Sequence, residues 1–136
     1  MTDPRDPNRL ADLVDRHPRL FRGQAPERSH LSPGWFDLVD KLCLDLEALA
    51  SSQATLPLRV DQVKEKYGTL RFSVRATVPG AAAQVLQDQA QALCKAAELH
   101  SEGVCEGCGA ASELHQNALR WWNTLCPSCT ARKESA

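Results

Sequence analysis

The sequence predicts an α+β fold, in which two main helices pack on a β-hairpin and a small cysteine-paired module follows at the C-terminal end. Three observations carry this expectation. Apolar residues recur at helical spacing over residues 33–51 and again over 81–101. Between them, residues 69–75 alternate between apolar and polar, and a Tyr67-Gly68 pair joins them to an earlier apolar-rich run, as expected of a hairpin over 58–75. Two Cys-x-x-Cys pairs then lie beyond the second helix, at Cys105/Cys108 and Cys126/Cys129.

Taken in order, residues 1–8 are polar and broken by Pro4 and Pro7, which reads as a tail. Residues 9–16 suit a short helix with Leu10, Leu13 and Val14 on one side, stopped before Pro18. Residues 18–34 hold three prolines and two glycines and read as an irregular connection anchored by Leu20 and Phe21. Ser32 before Pro33 has the pattern of an N-cap followed by the first helical position.

The helix that follows carries two adjoining stripes, Phe36, Val39, Cys43, Leu46 and Ala50 beside Trp35, Leu38, Leu42 and Leu49. Such a width means a broad buried face, with Asp37, Asp40, Asp45 and Glu47 left to water. A polar linker, 51–57, precedes the hairpin. In its second strand Leu70, Phe72 and Val74 point inward. In the first, Leu58 and Val60 share one parity and Val63 has the other, so a bulge near Gln62 is expected. The helix after Pro79-Gly80 carries Ala82, Leu86, Ala90, Leu93 and Ala97 on its stripe. The expected organisation is a tail and short helix at 1–17, an α+β body at 18–102, a metal module at 103–131 and a tail at 132–136.

The cysteine spacing carries the chemistry. Each Cys-x2-Cys turn puts two sulfurs within reach of one small cation, and 17 residues separate the pairs. Two turns complete a tetrahedral thiolate shell, the preference of zinc. One structural zinc held by Cys105, Cys108, Cys126 and Cys129 is therefore expected. Gly107 and Gly109 suit a tight first turn, while Pro127 stiffens the second and Ser128 can still donate its N–H. A short helix carrying Leu114, Leu119, Trp121 and Trp122 is expected over 112–123, with one indole packed over the metal module, joining it to the main domain, and the other exposed. His115 is near enough in sequence to replace a sulfur, although four cysteines suffice. Cys43 and Cys94 lie on the helical stripes and read as buried apolar residues.

Composition narrows the class. No apolar run approaches the roughly 18 residues of a membrane span, and no apolar stretch follows the first charges. A reducing, cytoplasmic setting is expected, in which paired cysteines bind metal in preference to forming disulfides. The net charge of −1 is not that of a dedicated nucleic-acid binder. Residues 58–75, with Arg59, Lys64, Lys66, Arg71 and Arg75 against Asp61 and Glu65, are the one stretch expected to attract phosphate.

No catalytic constellation emerges: there is no Gly-rich phosphate loop, no His-Glu-x-x-His and no nucleophile-and-base signature. His100-Ser101-Glu102 matches half of a zinc-deaminase signature. The other half fails, because Val104 and Leu125 stand where proline would precede each cysteine pair.

Several runs together resemble a group of small phage and prophage proteins with a C-terminal zinc-finger-like module. They are Leu20-Phe21-Arg22, Gly34 through Cys43 (GWFDLVDKLC), Gln62 through Phe72 (QVKEKYGTLRF), Cys105-Glu106-x-Cys108-Gly109, and Trp122-x-Thr124-Leu125-Cys126. The resemblance spans about residues 18–129 and implies a bacterial host cytoplasm, with no activity attached. The chain departs from the group's pattern at Cys129, where histidine is often found, and in a longer loop with a second tryptophan.

These readings converge on a non-enzymatic zinc-binding adaptor or inhibitor that binds a host or phage protein. Lys64, Lys66, Arg71, Arg75, Trp121 and Trp122 are the candidate contacts. The alternative is a nucleic-acid binder using the basic hairpin, and a metal-dependent hydrolase or nuclease stands behind both. No feature of the sequence specifies an oligomeric state.

Overall fold

A computed structural model describes residues 9–50 and 56–135. The tail expected over 1–8 and most of the linker after the first main helix lie outside these residues. Among the described residues, five helices and two antiparallel hairpins give the α+β architecture: α1 (Arg9–Arg16), α2 (Pro18–Phe21), α3 (Phe36–Leu49), β1 (Leu58–Lys66), β2 (Thr69–Ala76), α4 (Ala81–Ser101), β3 (His115–Gln116), β4 (Trp122–Asn123) and α5 (Pro127–Ser135). Among the described residues no helix is long and apolar enough to cross a membrane.

The core is built by α1, α2 and α3, by the inner face of the β1–β2 hairpin, and by α4. Leu13, Leu20, Phe21, Trp35, Val39, Cys43, Leu46, Leu58, Val63, Leu70 and Ala90 all have almost no exposure. Fully burying an aliphatic or aromatic side chain contributes about 1.5–3 kcal/mol, so this set dominates the stability of the body. Both stripes of α3 are used, as its sequence requires, with Leu38 and Leu49 at their half-buried edges. The buried line of α4 is rotated from the one expected, running through Ala83, Ala90, Cys94, Ala97 and Ser101 and leaving Ala82 exposed. Small residues there let α4 lie close to its neighbours.

The hairpin has the expected bulge. Val60 pairs with Val74 and Gln62 with Ser73, so Asp61 is the extra residue and the inward parity switches between Val60 and Val63. Tyr67 and Gly68 form the two-residue turn, both at positive φ (53° and 79°), as a primed turn requires. A two-stranded sheet has two open edges, and side chains close both. Ser29 Oγ accepts the Val63 N–H and the His30 N–H donates to the Val63 carbonyl. On β2, Ser101 Oγ accepts the Leu70 N–H, while Gln87 accepts from Ala76 N–H and donates to the Val74 carbonyl.

Several expectations are corrected. Residues 18–21 form one helical turn, with Pro18 in its first turn and Arg22 in the left-handed region behind it. Ser32 makes no side-chain cap, because the helix is entered through a tight 3-10 turn at Pro33–Trp35. Residues 132–135, expected as tail, continue α5. The stretch 112–123 holds the β3–β4 hairpin and no helix.

Asp40 and Glu47 are not simply left to water. Buried His17 sits between them, with Nε2 at 2.7 Å from Asp40 and Nδ1 at 2.7 Å from Glu47. Arg16 adds a 3.2 Å contact to Asp40, so α1 is tied to α3 by an ionic cluster as well as by Leu13 and Val14.

Candidate metal centre and the surface around it

The two cysteine turns converge. The sulfurs of Cys105, Cys108, Cys126 and Cys129 all lie within 4.8 Å of one another, and those of Cys108 and Cys126 are 3.7 Å apart. A tetrahedral shell with metal–sulfur bonds of about 2.3 Å requires sulfur–sulfur distances of about 3.8 Å. The four donors therefore fit one metal ion, such as zinc, with little movement.

The local chain explains the convergence. After α4 ends, Cys105 to Gly109 form a tight turn in which the Gly109 N–H donates to the Cys105 carbonyl and Gly109 takes φ 85°. Gly107 lies against the other turn, since a Cβ there would stand 3.0 Å from Cys129 Sγ. Cys126 immediately precedes α5, and its carbonyl accepts the Thr130 N–H. Its sulfur accepts the Cys129 N–H, the role given to a side-chain oxygen in an ordinary N-cap. The expected Ser128 donor is thus replaced by its neighbour. Buried Thr124 locks the two turns together: its hydroxyl accepts the Glu106 N–H, and its own N–H donates to Glu106 Oε2.

Electrostatics at the four sulfurs is uneven. The Cys129 N–H and the neighbouring thiols lower Cys126 to about 7. Burial pushes Cys129 up to about 12, against the Arg132 guanidinium 2.8 Å from its sulfur. The Cys126 N–H also donates to Cys105 Sγ at 3.2 Å. A divalent ion among four thiolates leaves the centre with two negative charges, which these donors and Arg132 partly offset.

His115 is not part of the cluster; its Nε2–H donates to the Leu125 carbonyl. His100 is exposed at the end of α4 and outside the cluster, so the half-signature of a deaminase has no counterpart in space. Cys43 and Cys94 are buried in the main core. Burial raises both thiols, Cys94 to about 12, and for Cys43 the charges of Glu47 and Asp40 add to it. A thiol raised in this way stays neutral and packed up to the ordinary value near 9.0, and its contribution to stability is lost only as pH rises through the shifted value. In native, metal-loaded protein, titration with a thiol reagent is expected to find almost no fast-reacting groups. A chelator should release four, and denaturant the last two. Fast reaction of Cys43 or Cys94 in the native protein would contradict this packing.

The metal module has almost no apolar core of its own. Its buried cluster is Cys105, Cys126 and Cys129, with Cys108 and Leu125 packed against them. It is held to the body at three points. The Trp35 indole N–H donates to the Val104 carbonyl at 2.9 Å, and the Gly34 N–H donates to the Glu106 carbonyl at 2.8 Å. A Cβ on Gly34 would fall 2.0 Å from the Cys105 carbonyl oxygen and 2.6 Å from Gly109 N, so only glycine fits. At the third point Gly68 seats the β1–β2 turn on β4, where a Cβ would meet Leu114 at 2.6 Å and Asn123 N at 2.8 Å.

Neither tryptophan packs over the metal. Trp121 is 69% exposed and Trp122 44%, which corrects the expectation that one indole is packed over the metal module. With Tyr67, Leu119, Glu65, Lys66 and Arg120 they line a groove of about 660 Å³ between the β1–β2 turn and the β3–β4 loop. Lys66 reaches this groove, but Arg71 and Arg75 lie along the hairpin and are paired, with Glu98 and Asp61 respectively, each at 3.1 Å. Lys64 sits opposite Arg71 in the register. The six candidate contacts thus do not form one patch. Tyr67, Leu119 and Arg120 are groove residues that sequence reasoning missed, because no local pattern brings residue 67 beside residue 121. No protein-family model matches the chain, and neither a curated protein nor a solved structure matches it.

Proposed function

We propose that this chain is a zinc-binding, non-enzymatic adaptor or inhibitor that recognises a protein. The observation that carries the reading is the gathering of four sulfurs within 4.8 Å of one another, a set sufficient for a closed tetrahedral shell. Such a shell leaves no position for substrate or activated water, so the metal shapes the module and the function lies on the surfaces it holds in place. The soft, all-sulfur donor set favours zinc over the hard cations. A phage or prophage protein acting on a bacterial host protein is the form this reading takes. It is supported by the motif resemblance, whose glycines, Gly34 and Gly68, are the joints between body and metal module.

The nucleic-acid reading is weaker, since Arg71 and Arg75 are already engaged by carboxylates and the chain carries a net charge of −1.

Cobalt substitution tests the closed shell. A tetrahedral four-thiolate spectrum that does not change on adding imidazole or cyanide is expected, and a spectrum altered by either ligand would reveal an open position and favour hydrolase chemistry. Affinity capture from a bacterial host, followed by salt titration of the recovered complex, tests the partner class. Affinity that declines only weakly with salt supports a protein interface, while a steep logarithmic decline would replace it with phosphate contacts.

A further inference from the structure

The groove between the β1–β2 turn and the β3–β4 loop has features that packing does not explain. It exposes Tyr67, Leu119, Trp121 and Trp122, four large apolar side chains, on a small domain. The loop carrying Leu119 and Trp121, and leading into Trp122 on β4, is nevertheless well built. Asn117 Oδ1 accepts the N–H groups of both Leu119 and Trp121, and the Asn117 carbonyl accepts that of Arg120. The Gln116 side chain donates to the Arg120 carbonyl, and the Asn117 N–H donates to the Trp121 carbonyl. A loop satisfied in this way holds its exposed side chains in one arrangement before any ligand arrives, which lowers the ordering cost of binding.

Backbone strain points to the same place. Of the four non-glycine residues at positive φ among the described residues, two, Tyr67 (53°) and Arg120 (65°), line this groove. Asparagine or glycine would occupy either position with less strain. Local strain retained where the side chain projects into a cleft indicates a use for that side chain.

We propose that this groove is a docking site for a short acidic segment of a protein partner, with an aromatic or leucine anchor beside its carboxylates. The proposal rests on the protein-recognition reading above and names its site and ligand chemistry. The charge of the rim selects the partner. Lys66 and Arg120 are its cations against one acid, Glu65, whose Oε2 already accepts the Gly68 N–H, so the rim keeps a net positive charge. The aromatic rings supply an anchor pocket of the kind that dominates protein interfaces. A nucleic-acid strand fits less well. Leu119, the most exposed of the four at 77%, has no face for base stacking. The cations farther along the hairpin, Arg71 and Arg75, are held by Glu98 and Asp61 and do not extend a phosphate track.

The test uses the full-length, zinc-loaded protein against a displayed random peptide library, with a short oligothymidylate as a separate probe. Selected peptides should share Asp or Glu next to Trp, Phe or Leu. Trp121→Ala and Arg120→Glu should each weaken the best peptide at least about tenfold. Tyr67→Asn should weaken it similarly while leaving Tm unchanged or higher, because asparagine tolerates the left-handed turn. Arg75→Glu, away from the groove, should change nothing. Zinc content and circular dichroism confirm that each variant is folded.

Peptides insensitive to all three groove substitutions would overturn the site while leaving protein recognition standing. Oligothymidylate binding that the same substitutions abolish, with no peptide selected, would overturn both. Failure of both probes to bind would also overturn the groove proposal.

Discussion

Replacing Cys126 with serine is expected to abolish stoichiometric metal binding and to unfold the chain beyond α4, while the body remains folded. The asymmetry follows from where the apolar surface lies. The body has a continuous core from Leu13 to Ala97, whereas the metal module buries little besides sulfur and Leu125. A segment this poor in apolar contacts cannot offset the conformational entropy of ordering its backbone. On the proposed reading a bound metal supplies the difference, since a structural zinc contributes about 10–16 kcal/mol of apparent binding free energy in small modules.

Chelation should therefore remove amide-exchange protection from β3, β4 and α5. Protection in α3, α4 and the β1–β2 hairpin should persist, with a lower Tm because the Trp35–Val104 and Gly34–Glu106 bonds are gone. Hydrogen exchange by mass spectrometry checks this directly. Unchanged protection across 104–135 in the metal-free protein would show that the module folds on other grounds. The peptide groove should disappear with the module, since the β3–β4 loop is one of its walls.

His17→Ala is expected to destabilise the body by about 3 kcal/mol, because it leaves two largely buried carboxylates without their hydrogen-bond partner. His17 is 3% exposed, and each of its ring nitrogens faces a carboxylate at 2.7 Å. Removing the ring leaves Asp40 and Glu47, neighbours on one face of α3 and each about four-fifths buried, without the group between them. Arg16 is itself largely exposed and reaches only Asp40, so it compensates little. Chemical denaturation of His17→Ala beside the double variant Asp40→Asn/Glu47→Gln checks this. The amides can hydrogen-bond the ring without charge, so the double variant should lose less than the single one. An equal or larger loss would mean that the ring's packing, and not the pairing, holds α1 to α3.

The metal ligands were legible because their information is local. A Cys-x-x-Cys turn is a property of four consecutive residues, and only the meeting of the two turns needs the fold. The β1–β2 hairpin was legible for a similar reason, and its bulge could be placed from one parity break between Val60 and Val63. The β3–β4 hairpin was not legible. Its strands are two residues long, too short for any periodicity, and its Leu119, Trp121 and Trp122 mimic a core pattern while lying on the surface. His17 escaped notice because its partners lie 23 and 30 residues away, and the helical pattern of α3 left Asp40 and Glu47 on a face read as solvent.

Gly34 and Gly68 show where the boundary falls. Their place beside Trp35 and Tyr67 marked them as motif residues, but not what they touch. In space each is a point where one backbone lies against another with no room for a Cβ. Residue type, periodicity and short spacing thus settled the fold class, the two main helices and the hairpin of the body and the four sulfur donors, because these depend on interactions within a few residues of chain. The joints between body and metal module, the ionic cluster on α3, and the groove that gathers Tyr67 with Trp121 depend on contacts between distant segments. Such contacts exist only once burial has packed those segments together, and no linear pattern encodes them.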